Sequence, residues 1–177
     1  MEEETSAGKA QAQDIDVQLS KDGDKEAFGR IIRRNQFIMY KAARSILSTP
    51  QDIEDAIGNA VLKAFLNLEV LKNNSNFKPW LLKILINECY SLLRKRKREV
   101  YTEDMHSDAA YYEDSYSDFE LTKAIDSLER EQRIVTLLFY YEDMSLKDIA
   151  KVLELPEGTV KSRLSRAKKK LERLLKG

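Results

Sequence analysis

The sequence predicts an all-α protein, two small helical domains joined by an acidic flexible linker. Three observations carry that expectation. Apolar residues recur with helical spacing along nearly the whole chain, and no stretch alternates as a half-buried strand would. Twenty residues near the middle, "EVYTEDMHSDAAYYEDSYSD" at 99–118, lose that spacing and are rich in acids, serine and tyrosine, a composition that buries too little apolar surface to order itself. Charge is also segregated. Phe77 to Arg98 holds seven Lys/Arg against the single acid Glu88, Glu99 to Glu120 holds eight acids and no Lys or Arg, and Glu157 to Gly177 holds eight Lys/Arg against two acids. A formal net charge of zero therefore conceals two basic faces on either side of an acidic tether, a pattern suited to two contacts with a polyanion.

Taken in order, residues 1–20 are expected to be a disordered acidic tail, because "MEEETSAGKAQAQDID" has neither an apolar stripe nor the basic and apolar regions of a signal peptide. The first domain spans 21–98. Its first helix runs from about Asp24 to Ile46 and turns Phe28, Ile31, Ile32, Ile38 and Met39 to a core. Thr49 caps a second helix, with Pro50 in its first turn, Asp52 completing a capping box, and Ile53, Ile57, Ala60, Val61 and Ala64 as its stripe. It ends near Leu68. "LKNNSNF" is a polar loop, and a third helix follows from about Lys78 to Lys97. The linker occupies 99–118 and the second domain 119–177. Its helices are expected at Phe119 to Ser127 and Arg130 to Tyr141, followed by a pair within "SLKDIAKVLELPEGTVKSRLSRAKKKL". Twenty extended linker residues could reach about 66 Å at about 3.3 Å per residue, so the two domains could grip well-separated sites.

That last pair is the most informative stretch. Ser145 and Asp148 form a capping box, and Leu146, Ile149, Ala150 and Leu153 mark a short amphipathic helix broken by "ELPEG". The next helix puts Val160, Leu164, Ala167, Leu171 and Leu174 on one stripe and Lys161, Ser162, Ser165, Arg166 and Lys169 on another. A short helix, a tight turn and a second helix with a free basic face is the helix-turn-helix arrangement, which lays its second helix in a major groove. Thr159, Lys161, Ser162, Ser165, Arg166 and Lys169 are the candidate DNA contacts. Lysine and arginine reach guanine O6 and N7 or phosphate, and hydroxyls donate or accept at base edges.

Composition excludes other classes. A lone cysteine, Cys89, cannot form an internal disulfide, and with His106 the only histidine no metal-ligand spacing exists. Neither a metal nor another cofactor is expected. No apolar run approaches the ~20 residues that span a bilayer, which points to a cytoplasmic protein without membrane insertion of its own. Without a Gly-rich phosphate loop or an acid–base pair built on histidine, an enzyme is the least expected class.

"SLKDIAKVLELPEGTVKSRLSRAKKKL" closely resembles the promoter-reading C-terminal domain of extracytoplasmic-function (ECF) sigma factors of the sigma-70 family, and the resemblance extends upstream through "AIDSLEREQRIVTLLFYYEDMS". "FGRIIRRNQFIMYKAARSIL", "DIEDAIGNAVLKAF" and "FKPWLLKILINECYSLLRKRKR" resemble the first conserved domain of that family. The resemblance implies sigma region 2 at 21–98 and sigma region 4 at 119–177. It also implies a dissociable subunit of bacterial RNA polymerase that recognises promoter DNA, duplex at the minus-thirty-five element and single-stranded at the minus-ten element. Asp52, Asp55, Asn59 and Leu62 would meet the clamp helices of the largest core subunit, although Gly58, Asn59 and Val61 stand where the family commonly has a glutamine, an acid and an aromatic residue. Asn73, Asn74, Lys78, Trp80, Lys83, Asn87 and Arg94 would hold the unpaired minus-ten strand, with Trp80 either a stacking surface or part of the core. An anti-sigma partner and a role in an envelope or stress response follow from the same resemblance. Two other readings remain beside it, a stand-alone helix-turn-helix regulator and a protein-binding adaptor.

Overall fold

The structure is a computed structural model that describes residues 6–100 and 119–176. Its helices are α1 (Ser6–Lys21), α2 (Lys25–Ile46), α3 (Pro50–Leu66), α4 (Phe77–Val100), α5 (Phe119–Asp126), α6 (Arg130–Tyr140), α7 (Leu146–Leu153) and α8 (Glu157–Lys176), with short 3-10 turns at Leu68–Val70 and Asn74–Asn76. The caps set the boundaries. Asp24 accepts the Ala27 N–H at 3.0 Å to start α2, and Thr49 accepts the Asp52 N–H at 3.2 Å to start α3. Helix α4 begins one residue before its expected start and continues to Val100, so Glu99 and Val100 are helical rather than linker; residues 101–118 of the expected linker lie outside the described residues.

The expected tail is the main departure. Ser6–Lys21 is a helix that packs along α2, with Val17 fully buried. Most of its inward side chains are polar. Asp16 is buried and pairs with Arg30 at 2.7 Å and with Arg34, while Gln13 accepts a hydrogen bond from the Asn35 amide at 3.0 Å. Gly23, at φ +102°, ends α1 in the left-handed conformation that glycine adopts without strain.

Helices α2, α3 and α4 make the first core from Phe28, Ile31, Met39, Ile53, Leu81 and Leu85 among others, and Cys89 is buried within it. Burial, with the neighbouring Glu88 charge, pushes the Cys89 thiol up to about 12. The thiol is therefore an inert packing group. The second half buries Ile134, Val135, Leu138, Ile149 and Val160, and these belong to the same continuous apolar cluster as the first. The halves meet where α6 lies on α2 and α7 lies on α4. Arg44 pairs with Asp126 at 2.8 Å and Arg130 Nε donates to the Ile46 carbonyl at 2.8 Å across that seam.

Hydrogen bonds from Arg30 and Arg34 hold the Asp16 carboxyl below the usual carboxylate range, against the opposing effect of burial. A depressed folded-state pKa contributes stability that is present above the unfolded value of about 3.9 and is lost as pH falls through the folded value. Asp16→Asn should lower unfolding stability near neutral pH by about 1.5–3 kcal/mol, the range for hydrogen bonds to charged groups. Urea titrations from pH 7 to 3 check this: the gap between variant and wild type should narrow below pH 4.

Candidate nucleic-acid and polymerase interfaces

Helices α7 and α8 form the expected helix-turn-helix. Ser145 accepts the Asp148 N–H at 3.1 Å and donates to its carboxylate at 2.7 Å, closing the capping box. Glu154 ends α7 in the left-handed region at φ 54°, and the Leu155 N–H returns to the Ala150 carbonyl at 3.0 Å, which makes the turn tight. The Pro156 carbonyl then receives the N–H groups of Thr159 and Val160, starting α8. Val160 and Ala167 are buried and Leu164 and Leu171 half-buried, whereas Leu174, expected on the same stripe, is half exposed at 49%.

Lys161, Ser162, Ser165, Arg166 and Lys169 are all exposed on the outer face of α8, and Thr159 is half-buried at its start. Ser162 donates to the Thr159 carbonyl at 3.0 Å, and Arg166 folds back on Ser162 through long contacts of 3.4 and 3.5 Å. Among the described residues none of Lys161, Arg166 and Lys169 pairs with an acid. At 1.5 Å per residue this 20-residue helix is about 30 Å long, enough to lie in a major groove.

On α4, Trp80, Lys83, Asn87 and Arg94 fall at i, i+3, i+7 and i+14, one stripe of the helix. Asn87 and Arg94 are exposed. Trp80 is half-buried, packed on the core and 5.9 Å from the Phe77 ring. Lys83 pairs with Glu154 of the helix-turn-helix at 3.0 Å, and Lys78 with Glu142 of the second half at 2.7 Å. Both lysines are thus already engaged by acids of the other half.

Three expected contacts are committed within the fold. Asn73 Oδ1 caps the second 3-10 turn through the Ser75 N–H at 3.1 Å and its hydroxyl at 2.8 Å, although the residue stays exposed. Asn74 accepts from Lys21 at 2.8 Å and donates to Gln18 at 3.2 Å, which ties it to α1. Asp52 is buried, with Arg96 of α4 bonded to it at 2.8 Å. Burial raises its carboxyl pKa, but the hydrogen bonds from Arg96 and Thr49 outweigh that effect and hold it below the usual range. Asn74 and Asp52 thus tie helix to helix through partners distant in sequence, whereas Asn73 closes a local turn.

Asp55, Asn59 and Leu62 do share an exposed face of α3, and Phe65 and Leu66 extend it. Leu62 and Leu66 are 57% and 67% exposed, more than a solvated helix needs. Sequence reasoning passed over Phe65 and Leu66, whose signal was apolar residues in excess of the inward stripe. It also passed over an open apolar groove of about 570 Å³ lined by Leu121, Ile125, Tyr140, Tyr141, Leu171 and Leu175.

Residues 31–99 match the family description Sigma-70 region 2, and residues 118–171 match Sigma-70, region 4. The chain is 31% identical over 155 residues to the ECF RNA polymerase sigma factor SigM of Mycobacterium tuberculosis (strain ATCC 25618 / H37Rv), covering 86% of this chain and 79% of that one. The chain belongs to the ECF sigma factors. It is an alternative sigma factor that binds RNA polymerase and directs transcription from promoter DNA. The ECF RNA polymerase sigma factor SigW of Bacillus subtilis (strain 168) is 28% identical, covering 90% of this chain and 95% of that one. Among solved structures, the sigma factor RpoE from Bartonella quintana, in complex with the anti-sigma factor NepR, aligns with a TM-score of 0.74 at 32% identity over 84% of this chain and 96% of that one. CnrH, solved with the cytosolic domain of CnrY, shares the fold at a TM-score of 0.66 and 24% identity, covering 93% of this chain and 97% of that one. Among the described residues of this ECF sigma factor, no helix is long and apolar enough to cross a membrane.

The two ends of the α3 face should separate by their effect on stability. Asp52→Asn is expected to cost about 1.5–3 kcal/mol by breaking charged, buried hydrogen bonds, whereas Leu62→Ala at the exposed end should stay within about 0.5 kcal/mol of wild type. Chemical denaturation of the two variants side by side measures both.

Proposed function

We propose that α8 reads the duplex upstream element through Lys161, Ser162, Ser165, Arg166 and Lys169, with Thr159 at its leading end. The stripe of α4 holds the opened downstream strand. The observation that carries this is the basic face of α8, on which Lys161, Arg166 and Lys169 are exposed and pair with no acid among the described residues, which leaves them to an external anion. Lys78 and Lys83 supply phosphate contacts, Asn87 offers amide hydrogen bonds to a base edge, and Arg94 continues the basic track. Asp55, Asn59, Leu62, Phe65 and Leu66 form the face for the core enzyme, which we assign to the clamp helices of its largest subunit. Asp52 supports that face from inside.

Strand capture and the folded seam compete for the same lysines. Exposed ion pairs such as Lys83–Glu154 contribute only about 0.2–1 kcal/mol, so a phosphate can displace Glu154, whereas Lys78 meets the largely covered Glu142 and is released when the halves part. The apolar seam contributes more, and polymerase binding is what parts the halves. An anti-sigma factor that keeps them together would silence the protein, and RpoE's complex with NepR supports that kind of partner. Like other polymerase subunits of this type, the protein works in the cytoplasm and carries out no chemistry of its own, in an envelope or stress response.

Transcription on fragmented genomic DNA, with and without this protein added to bacterial core polymerase, tests the function. Starts that appear only with the protein and share two spaced upstream motifs are expected. Site-specific duplex protection by the protein alone, with no new starts from active core, would overturn it. Lys161→Ala with Arg166→Ala should weaken duplex binding and flatten the salt dependence by about 0.9 in log–log slope for each phosphate left without its cation. Glu142→Gln with Glu154→Gln should raise the free protein's affinity for a single-stranded promoter oligonucleotide several-fold, read by fluorescence anisotropy.

A further inference from the structure

The loop between α3 and α4 is held by a helix that lies outside the residues matching Sigma-70 region 2. The Lys21 ammonium, in the last turn of α1, donates to the Leu71 carbonyl and to Asn74 Oδ1 at 2.8 Å. The Asn74 amide group then donates to Gln18 Oε1 at 3.2 Å and to the Asp14 carbonyl at 3.4 Å. Both ends of the Asn74 side chain are therefore used on α1. Leu68, Leu71 and Phe77 are buried anchors on either side, and between them Lys72, Asn73, Ser75 and Asn76 remain on the outer side of the loop. The result is a loop tied to α1 through Leu71 and Asn74, with Lys72 and Asn76 exposed and Asn73 and Ser75 exposed but bonded to each other.

We propose that Lys21 is a positioning residue for base selection: through Leu71 and Asn74 it sets the shape of the 71–76 loop that receives the unpaired strand ahead of α4. The proposal rests on the assignment of α4 to strand capture made above and extends it to the loop directly before that helix. An ammonium is suited to the task because it supplies three donors from one point and so bridges a backbone carbonyl and a side-chain amide at once. The register of α1 decides where that ammonium stands. Asp16, bound to Arg30 and Arg34, and the buried Val17 fix this register against α2. A selective pocket must be held to within a fraction of an ångström by supporting contacts, and Lys21 provides such a contact without reaching nucleic acid itself.

The test uses the full chain with core polymerase and a panel of promoters carrying each single-base change in the downstream element. Lys21→Met should reduce discrimination between preferred and substituted bases about five- to tenfold, within the range for the net loss of a single hydrogen bond. Gln18→Ala, at an exposed position, should give a smaller reduction, and Lys21→Arg should recover part of it. Hydrogen exchange on the free protein provides the second readout: amides of 71–77 should exchange faster in Lys21→Met while those of α2 and α3 do not change. A merely structural role would lower the melting temperature and total transcription while leaving the base preference intact, and that outcome overturns the proposal. Unaltered preference and unaltered loop exchange in both Lys21→Met and Gln18→Ala would overturn it equally. Absence of starts with wild-type protein would count against the sigma function instead, and loop exchange would still decide whether Lys21 holds the loop.

Discussion

Burial of α4 on several sides at once is the constraint on which the rest of the structure depends. Phe77, Leu81, Leu82, Leu85, Ile86 and Cys89 are all essentially inaccessible, and they face α2, α3 and the second half. Each large side chain buried in this way contributes about 1.5–3 kcal/mol, so the rotation of α4 about its axis is not free to change. That rotation puts Lys83, Asn87 and Arg94 on a common outward stripe and turns Arg96 towards Asp52. Within "RKRKR", Arg94 is therefore left exposed while Arg96 is bonded to Asp52.

The charges sort by what lies opposite them. On α8 the helix packs through Val160 and Ala167, and among the described residues Lys161, Arg166 and Lys169 on its outer face pair with no acid. In the first half of α4, Lys78 and Lys83 meet Glu142 and Glu154, because α7 docks there. Lysine is thus unpaired on the outer face of α8 and paired on the part of α4 that α7 covers. Lys78 and Lys83 are thereby tied to the second half for as long as the halves stay together.

Legibility in the sequence followed how much of each element is local. Caps and turns are encoded within four residues, so Asp24, Thr49 and Ser145 marked helix starts correctly, and the "ELPEG" break placed the turn before α8. Helix α1 was illegible because its inward face is Gln13, Asp16, Val17 and Lys21, which looks like solvated surface until Arg30, Arg34, Asn35 and Asn74 are brought against it. Asp52 and Asn74 carried the residue types expected of contacts with a partner, yet their partners lie 44 and 53 residues away in the same chain. No pattern of spacing reveals which of two exposed-looking polar residues will be claimed internally.

By itself the sequence determined the helical class, the division into two halves, the helix-turn-helix and the basic face of α8, because these follow from short-range periodicity, capping and charge. Only the tertiary structure decided that α1 is folded, that the halves share one apolar cluster, and that Lys78 and Lys83 are paired while Lys161, Arg166 and Lys169 are not. Those outcomes depend on which surfaces meet, and ion pairs and apolar contacts between distant segments exist only once the chain has brought them together.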